Sequence, residues 1–390
     1  MKVGVVGLGN RAAHVFFELT KINPNYSLVA FVDPQPIGKK FSEEKSFFPH
    51  QKYSSLEEML KKENLDLLLV GSPNHLHLEH IQKGLEAGVT IFAEKPIVAN
   101  EEQTWQLAEL IKKYGKDKVL VGLVLRYSKH ARSIRKLMKE DAFGKIISIE
   151  ASEHIMPWHG GFFMRNWRRK TSYSGGFILE KCCHDLDFYS MIVGCRPIRV
   201  ASFGGRNAFV PDQSPILQGE KNLDVYLEYN LPGWESKEEV FDSDADIVDH
   251  QVAIIEYENG ATLAFHTNMK VPDEFRRFAL IGTKGMAEGD FVRGYLKAHN
   301  SHTGKKIFDE NFGAAFQQGT KGHYGADQLM LKDINDYLFN NSSHPLPVGV
   351  VNCMEAGLVA MKIDESRETN QIIDLTDTWK KLDNYNLQND

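Results

Sequence analysis

Residues 178–187 read ILEKCCHDLD. Ten positions hold three carboxylates, an ammonium, two thiols and an imidazole. Such a window could bind a metal, carry a thiol nucleophile or relay protons. The spacing predicts a helix over 176–190. On a helix Glu180 and His184 stand four apart on one face, with Asp187 a further turn along. Lys181 points about 100° away and can pair with Asp185 on another face.

Zinc fits poorly. Adjacent Cys182 and Cys183 point in different directions, and structural sites use C-x₂₋₄-C spacing. No second Cys/His pair follows elsewhere, so no metal is expected. A thiol inside a helix is more often a small buried hydrophobe than a nucleophile. A Glu180–His184 relay needs only the four-residue spacing and a cleft. A structural histidine in a domain interface would carry the same pattern, and these ten residues leave both readings open.

The elements that would position these groups begin at the N-terminus. Met1–Val6 is a short apolar run followed at once by GLGNRA, and apolar residues then recur at Val15, Phe16 and Leu19. This is strand, glycine turn, helix. Gly7 and Gly9 permit a tight turn against a pyrophosphate, and Ala12 is the small third position where helix meets strand. The loop residues Leu8, Asn10 and Arg11 flank that cradle, whose helix N-terminus offers unpaired N–H groups. A second strand, SLVAFVD, ends in Asp33. A carboxylate about 20 residues past the glycines suits both ribose hydroxyls of NAD and repels the 2′-phosphate of NADP.

The alternation continues with LDLLLVGSP, a helix bearing Leu78, Ile81 and Leu85, then VTIFAEKP, EEQTWQLAELIKKYG and KVLVGLVLRY. The pattern predicts a doubly wound parallel sheet over residues 1–125. Ligands bind beyond the carboxyl ends of such strands. Asp33, Ser72-Pro73-Asn74, Glu94-Lys95-Pro96 and Arg126-Tyr127 all stand at strand ends, with His77 just beyond. They converge on one crevice.

Past residue 126 the pattern changes. GKIISIEASEHIM alternates as a strand that ends near His154. DHQVAIIEYENGATLAFHTNM reads as a hairpin with Asn259-Gly260 as a type I′ turn. FRRFALIGTKGMAEGDF reads as a strand pair around Gly282–Gly285. YGADQLMLKDINDYLFN and MEAGLVAMKIDESRET read as helices, with a loop over 341–345. Residues 211–246, rich in Pro, Gly and acids, predict an exposed excursion. Consecutive strands with helices on one face make an α+β domain over 126–390.

Composition narrows the function classes. A chain of 390 residues with 42% hydrophobic and 25% charged residues has an ordinary globular profile. Net charge −6 gives no basic excess for nucleic acid or a membrane surface. MKVGVVGLGN lacks a signal peptide's apolar stretch, and no run approaches the roughly 20 apolar residues of a membrane span. Four scattered or adjacent cysteines make a poor disulfide framework. A cytoplasmic protein with reduced thiols is expected.

GLGNRA at 7–12, SPNHLH at 72–77, AEKP at 93–96, LRY at 125–127, GGFILEKCCHDLD at 175–187 and GTKGMAEGD at 282–290 appear in that order. With these parts the sequence resembles the Gfo/Idh/MocA family, the glucose–fructose oxidoreductase and inositol dehydrogenase-like enzymes, over nearly the whole chain. The resemblance implies a Rossmann domain followed by a domain with a large, mostly antiparallel, open-faced sheet. It implies hydride transfer between a nicotinamide cofactor and a hydroxyl carbon of a sugar or polyol. Lys95, after which a cis proline bond is expected, would contact the reacting hydroxyl, and Glu180 and His184 would complete the site. His184 would exchange the proton, and Glu180 would orient or balance it.

Two departures stand out. The family's usual acid is Asp where this chain has Glu180, and Cys182 stands where Gly is frequent. Two Glu-Lys pairs compete for the lysine role, and Lys95 at a strand end is favoured over Lys181. His154, Trp158, His159, Trp167, Arg168 and Arg169 are candidates to line a sugar cleft, joined by Tyr127 and Tyr324. Burial in a domain interface would suit the tryptophans as well. Relatives that use NAD to cleave glycosides by transient oxidation, and non-catalytic nucleotide-binding regulators, define the alternatives. Retention of Lys95, Glu180 and His184 argues against the regulator. Relatives cover the open sheet by association, so a homodimer or homotetramer is expected.

Overall fold

The computed structural model describes residues 1–47, 51–228, 233–313, 323–340 and 345–387, with the side chain of Asn340 excepted. The first sheet has six parallel strands: β1 (Lys2–Val6), β2 (Ser27–Val32), β3 (Gln51–Lys52), β4 (Leu67–Val70), β5 (Thr90–Ala93) and β6 (Val119–Val121). Their order is β3-β2-β1-β4-β5-β6. The strand order reverses between β1 and β4, which opens a crevice at their carboxyl ends. Leu67 to Val70 are all buried, as expected for a strand covered by helices on both faces. Helix ends are fixed locally. Ser55 and Asn100 each accept a hydrogen bond from the backbone N–H three residues on, at Glu58 and Gln103.

The strand expected over 118–127 is shorter than its apolar run. It leaves the sheet after Val121 and becomes a 3-10 turn over Val124–Tyr127. The cause is its neighbour: β5 ends at Ala93, so residues beyond Val121 have no ladder to join. Gly122 donates to Ala93 O as the last sheet-like contact.

The second sheet has nine strands: β7 (Ile146–His154), β8 (Pro197–Gly205), β9 (His250–Tyr257), β10 (Thr262–Asn268), β11 (Arg277–Gly282), β12 (Gly285–Asp290), β13 (Tyr295–Asn300), β14 (Lys306–Asn311) and β15 (Ile373–Asp374). Their order is β14-β13-β12-β11-β7-β10-β9-β8-β15. Only β7 and β10 run parallel. The strand pair across Gly282–Gly285 forms as the sequence suggests. The β9–β10 turn does not take the type I′ form. Gly260 alone has positive φ, at 80°, and the connection is four residues long, because Asn259 Oδ1 accepts from Ala261 N and closes the turn with its side chain.

Helices Cys183–Val193 and Val350–Thr369 cover one face of this sheet, over a core containing Ile149, Ala151, Ile255, Leu263, Phe265 and Leu280. The other face is open. Phe203 is 69% exposed and Ile254 50%. The register puts Phe203 opposite Val252 and Ile254 opposite Ala264.

The excursion over 211–246 is tied down rather than free. Tyr226 and Phe241 are buried against Phe209, and Trp234 stacks on His75 of the first domain. Its acids, with Pro211, mark the exposed part. Apart from Pro345, the loop expected over 341–345 lies outside the described residues. No helix among the described residues is long and apolar enough to cross a membrane.

Gly7 joins β1 to the next helix with φ 82°, and a Cβ there would lie 2.3 Å from Ser72 N. Gly7→Ala must strain this turn. It is expected to cost roughly 1–3 kcal/mol, read from urea unfolding, and to weaken dinucleotide binding.

Candidate active site

The nucleotide side is built by the turn after β1. Gly7 N donates to Val32 O at 2.8 Å. Helix Asn10–Ile22 starts at Gly9 with no side-chain cap and no acid in its first turn. A Cβ on Gly9 would meet nothing within 4 Å, so the space before the helix N-terminus is open. Asp33 ends β2. Burial pushes its carboxyl above the ordinary value, against hydrogen bonds from Gln35 and Leu8. An uncapped helix end, open space and a carboxylate at the next strand end fit a dinucleotide.

Several residues expected in the crevice also have partners within the protein. Leu8 is fully buried and offers only backbone, its carbonyl accepting from Gly38 N. Arg11 donates to Asp327 at 2.7 and 2.8 Å and to Glu94 at 2.9 Å. Arg126 donates to both oxygens of Asp187, at 2.7 and 2.6 Å, and to Pro347 O. Ser72 Oγ lies 2.8 Å from His80 Nδ1. His77 is buried between Pro96 O (2.9 Å) and Ser72 O (2.8 Å), tying the β4 end to the β5 end. Asn74 reaches across to the second domain, donating to Glu180 Oε2 at 2.6 Å and Ser174 O at 2.8 Å.

Lys95 follows β5 and its peptide bond to Pro96 is cis. Its Nζ donates to Glu180 O and lies 3.5 Å from Glu180 Oε1. Arg168 Nε donates to Glu180 Oε1 at 2.6 Å. Glu180 is buried, which alone would raise its pKa. Lys95, Arg168 and the Asn74 amide reverse this and hold it below the ordinary range.

The helix expected over 176–190 is broken at its functional end. Ile178–Cys182 is a π-helical turn, and the α-helix begins only at Cys183. The wider turn removes the four-residue alignment of Glu180 and His184. Glu180 faces Lys95, Arg168 and Asn74. His184 is 2% exposed with no hydrogen-bond partner at either ring nitrogen among the described residues. Burial first, then the charges of Lys95, His323 and Arg276, hold His184 well below its ordinary pKa, so the ring is neutral at pH 7.

Lys181 does not pair with Asp185. It meets Glu153 at 3.0 Å, while Asp185 and Glu153 share Arg276 at 2.8 and 2.7 Å. Removing one member of such a buried group strands its partners. The cysteines are free, as composition suggested, and three of them are buried. Burial pushes the Cys183 thiol up to about 12, which leaves no thiolate for nucleophilic chemistry.

Among the expected cleft residues, Trp167 lies under the Arg168 guanidinium, 4.2 Å from ring centre to carbon. The Trp158 and His159 rings stack at 5.0 Å. The His159 ring also packs on Phe163, and burial first, then the charges of Lys181, Lys95 and Arg168, hold it well below its ordinary pKa. Tyr324 is placed by Phe291 and Arg276. Tyr127 is 1% exposed and belongs to the core. His154 bonds Asn268 at 3.1 Å and packs on His266 and Phe275. Arg169 is buried on Asp244 and Asn166. His323 was not singled out in the sequence. Its ring centre is 5.5 Å from that of His184, and its Nδ1 is 3.2 Å from Asp327. The four-residue spacing of His323 and Asp327 is the one local signal that pointed there.

A profile described as "Oxidoreductase family, NAD-binding Rossmann fold" matches residues 1–123, and one described as "GFO/IDH/MocA C-terminal domain" matches 131–288. The chain belongs to the GFO/IDH/MocA oxidoreductase family. It is 23% identical over 372 residues to "Putative oxidoreductase YteT" of Bacillus subtilis, covering 84% of this chain and 87% of that protein. It is 26% identical over 205 residues to an Escherichia coli 2,7-anhydro-N-acetylneuraminate hydratase, where the match spans about half of each chain (53%). The myo-inositol 2-dehydrogenase structure from Lactobacillus plantarum shares the fold at TM-score 0.71 and 17% identity, over 96% of this chain and 99% of that one.

Proposed function

We propose that the protein oxidises, or in reverse forms, a hydroxyl-bearing carbon of a sugar or polyol using NAD. The carrying observation is the ion pair of Lys95 from the β5 end with Glu180 from the second domain, near enough to the buried His184 ring for the Lys95 charge to act on it. When bound, the cofactor takes up or returns hydride at the nicotinamide. The rest falls to the chain. An alcohol that loses hydride must also lose a proton, so a basic nitrogen must touch its oxygen. The neutral His184 ring is the nitrogen that can take that proton, and the Lys95 ammonium can donate a hydrogen bond to the same oxygen. Glu180 holds Lys95 in place through an ion pair and through its own carbonyl. Asp33, a carboxylate at the β2 end, favours NAD over NADP. Inositol 2-dehydrogenases among the relatives support a polyol substrate, and one from Lactiplantibacillus plantarum is 22% identical over 227 residues.

A panel of sugars, inositols and their phosphates with NAD⁺, read by NADH absorbance, tests this. One class is expected to turn over, and Lys95→Met is expected to lower kcat about 10²–10⁴-fold while the protein stays folded. Full turnover by the Lys95 variant, or release of free sugar from an aryl glycoside without net NADH, would replace this reading.

We also infer that the open sheet face is covered by a second copy, in a dimer or tetramer. Phe203 and Ile254 lie on adjacent strands of that face. Sedimentation is expected to give a dimer or larger species, and the doubly substituted F203E/I254E protein a smaller one. A monomer at all concentrations would contradict this.

A further inference from the structure

Beside the one-to-one pair of Arg126 and Asp187, three groups of charge near the junction of the domains are not balanced alike. Glu153 and Asp185 face Lys181 and Arg276, two of each sign. Arg11 faces two carboxylates, Glu94 and Asp327. Glu180 faces two cations, Lys95 and Arg168. The extra carboxylate therefore lies around Arg11, in the first turn of the helix that follows the glycine turn. The extra cation lies on the second domain's side, towards the substrate.

This excess is partly shielded from water. Side-chain exposure is 3% at Glu180, 15% at Lys95 and 26% at Arg168. Neither neighbouring imidazole supplies a counter-charge. His159 and His184 are neutral, and the leading charges acting on both are positive. Arg168 bonds through Nε to Glu180 and through Nη1 to Asn166 Oδ1 at 3.1 Å, and its Nη2 has no hydrogen-bond partner among the described residues. The Trp167 ring below fixes the guanidinium plane. A part-buried cation with unused N–H groups and, among the described residues, no second anion can still take a charged acceptor.

We propose that the substrate is an acidic sugar or polyol whose carboxylate is received by the Nη2 edge of Arg168. This rests on the sugar or polyol oxidoreductase reading and narrows it. A carboxylate supplies the single missing charge, and its plane matches the guanidinium edge. A dianionic phosphate would reverse the imbalance.

The test is calorimetric binding to the NADH-saturated protein. The probes are D-glucuronate, D-galacturonate and D-gluconate, each beside its neutral counterpart D-glucose, D-galactose or D-glucitol, with D-glucose 6-phosphate as the phosphate arm. At least one acid is expected to bind about ten-fold or more tighter than its neutral partner. That ratio is expected to fall below about three-fold in R168Q and to be partly restored in R168K, by the charge assistance Arg168 supplies. No acid preference in the wild-type protein overturns the proposal, and so does a preference that survives R168Q. Tighter binding of glucose 6-phosphate than of every acid overturns the carboxylate assignment. NADH formation from the same compounds with NAD⁺ reads the parent proposal separately. Turnover of neutral polyols with no acid preference removes only the present inference. Arg168-dependent binding of acids with no NADH from any compound removes only the oxidoreductase reading.

Discussion

A single carboxylate organises this molecule's centre. Glu180 is almost wholly out of water, and an isolated buried carboxylate would cost several kcal/mol or neutralise itself. It remains charged because three donors from three places reach it: Asn74 after β4, Lys95 after β5 and Arg168 from the segment before the helix. Two of the three belong to the nucleotide domain. The carboxylate therefore does two jobs: it draws the domains together, and it fixes where the Lys95 ammonium sits.

The π-turn makes this possible. A regular helix would aim Glu180 along the face of His184. Over Ile178–Cys182 the extra backbone in the turn directs the carboxylate to the cations and leaves the imidazole buried without a hydrogen-bond partner among the described residues. Glutamate, one methylene longer than the family's usual aspartate, suits a side chain that reaches two cations and an amide at once. The outcome separates roles that the four-residue spacing had joined. Glu180 anchors charge, and His184 stays a neutral ring able to take up a proton.

Much of the fold was legible because its signals are local. The glycine turn, the apolar parallel strands and the alternating strands of the second sheet each announce themselves within ten residues. The acid ending β2 was readable for the same reason. Other features left no local mark. The π-turn sits in a segment where Ile178, Leu179, Cys182 and Cys183 are apolar or neutral on every side, so a shift of register offends no pattern. The strand after Lys118 looked longer than it is because its end is decided by β5, which stops first. Arg11 reads in the sequence as a loop residue flanking the glycine cradle, and its partner Asp327 lies 316 residues on. Asn74 appeared to face the cofactor, and its partner Glu180 is 106 residues away. Contacts of that separation are products of the fold, and sequence spacing carries no trace of them.

The account turns on His184 being independent of Glu180, and nitrogen NMR of the labelled imidazole tests that directly. In the folded protein without substrate, His184 is expected to stay neutral from pH 8 to below its ordinary titration range, with no change in Glu180→Gln beyond a small shift. Burial and the surrounding cations require this direction. A His184 that protonates at or above about 6.5, and loses that behaviour in Glu180→Gln, would mean that the two side chains form a charged pair. The separation of roles proposed for this site would then be wrong.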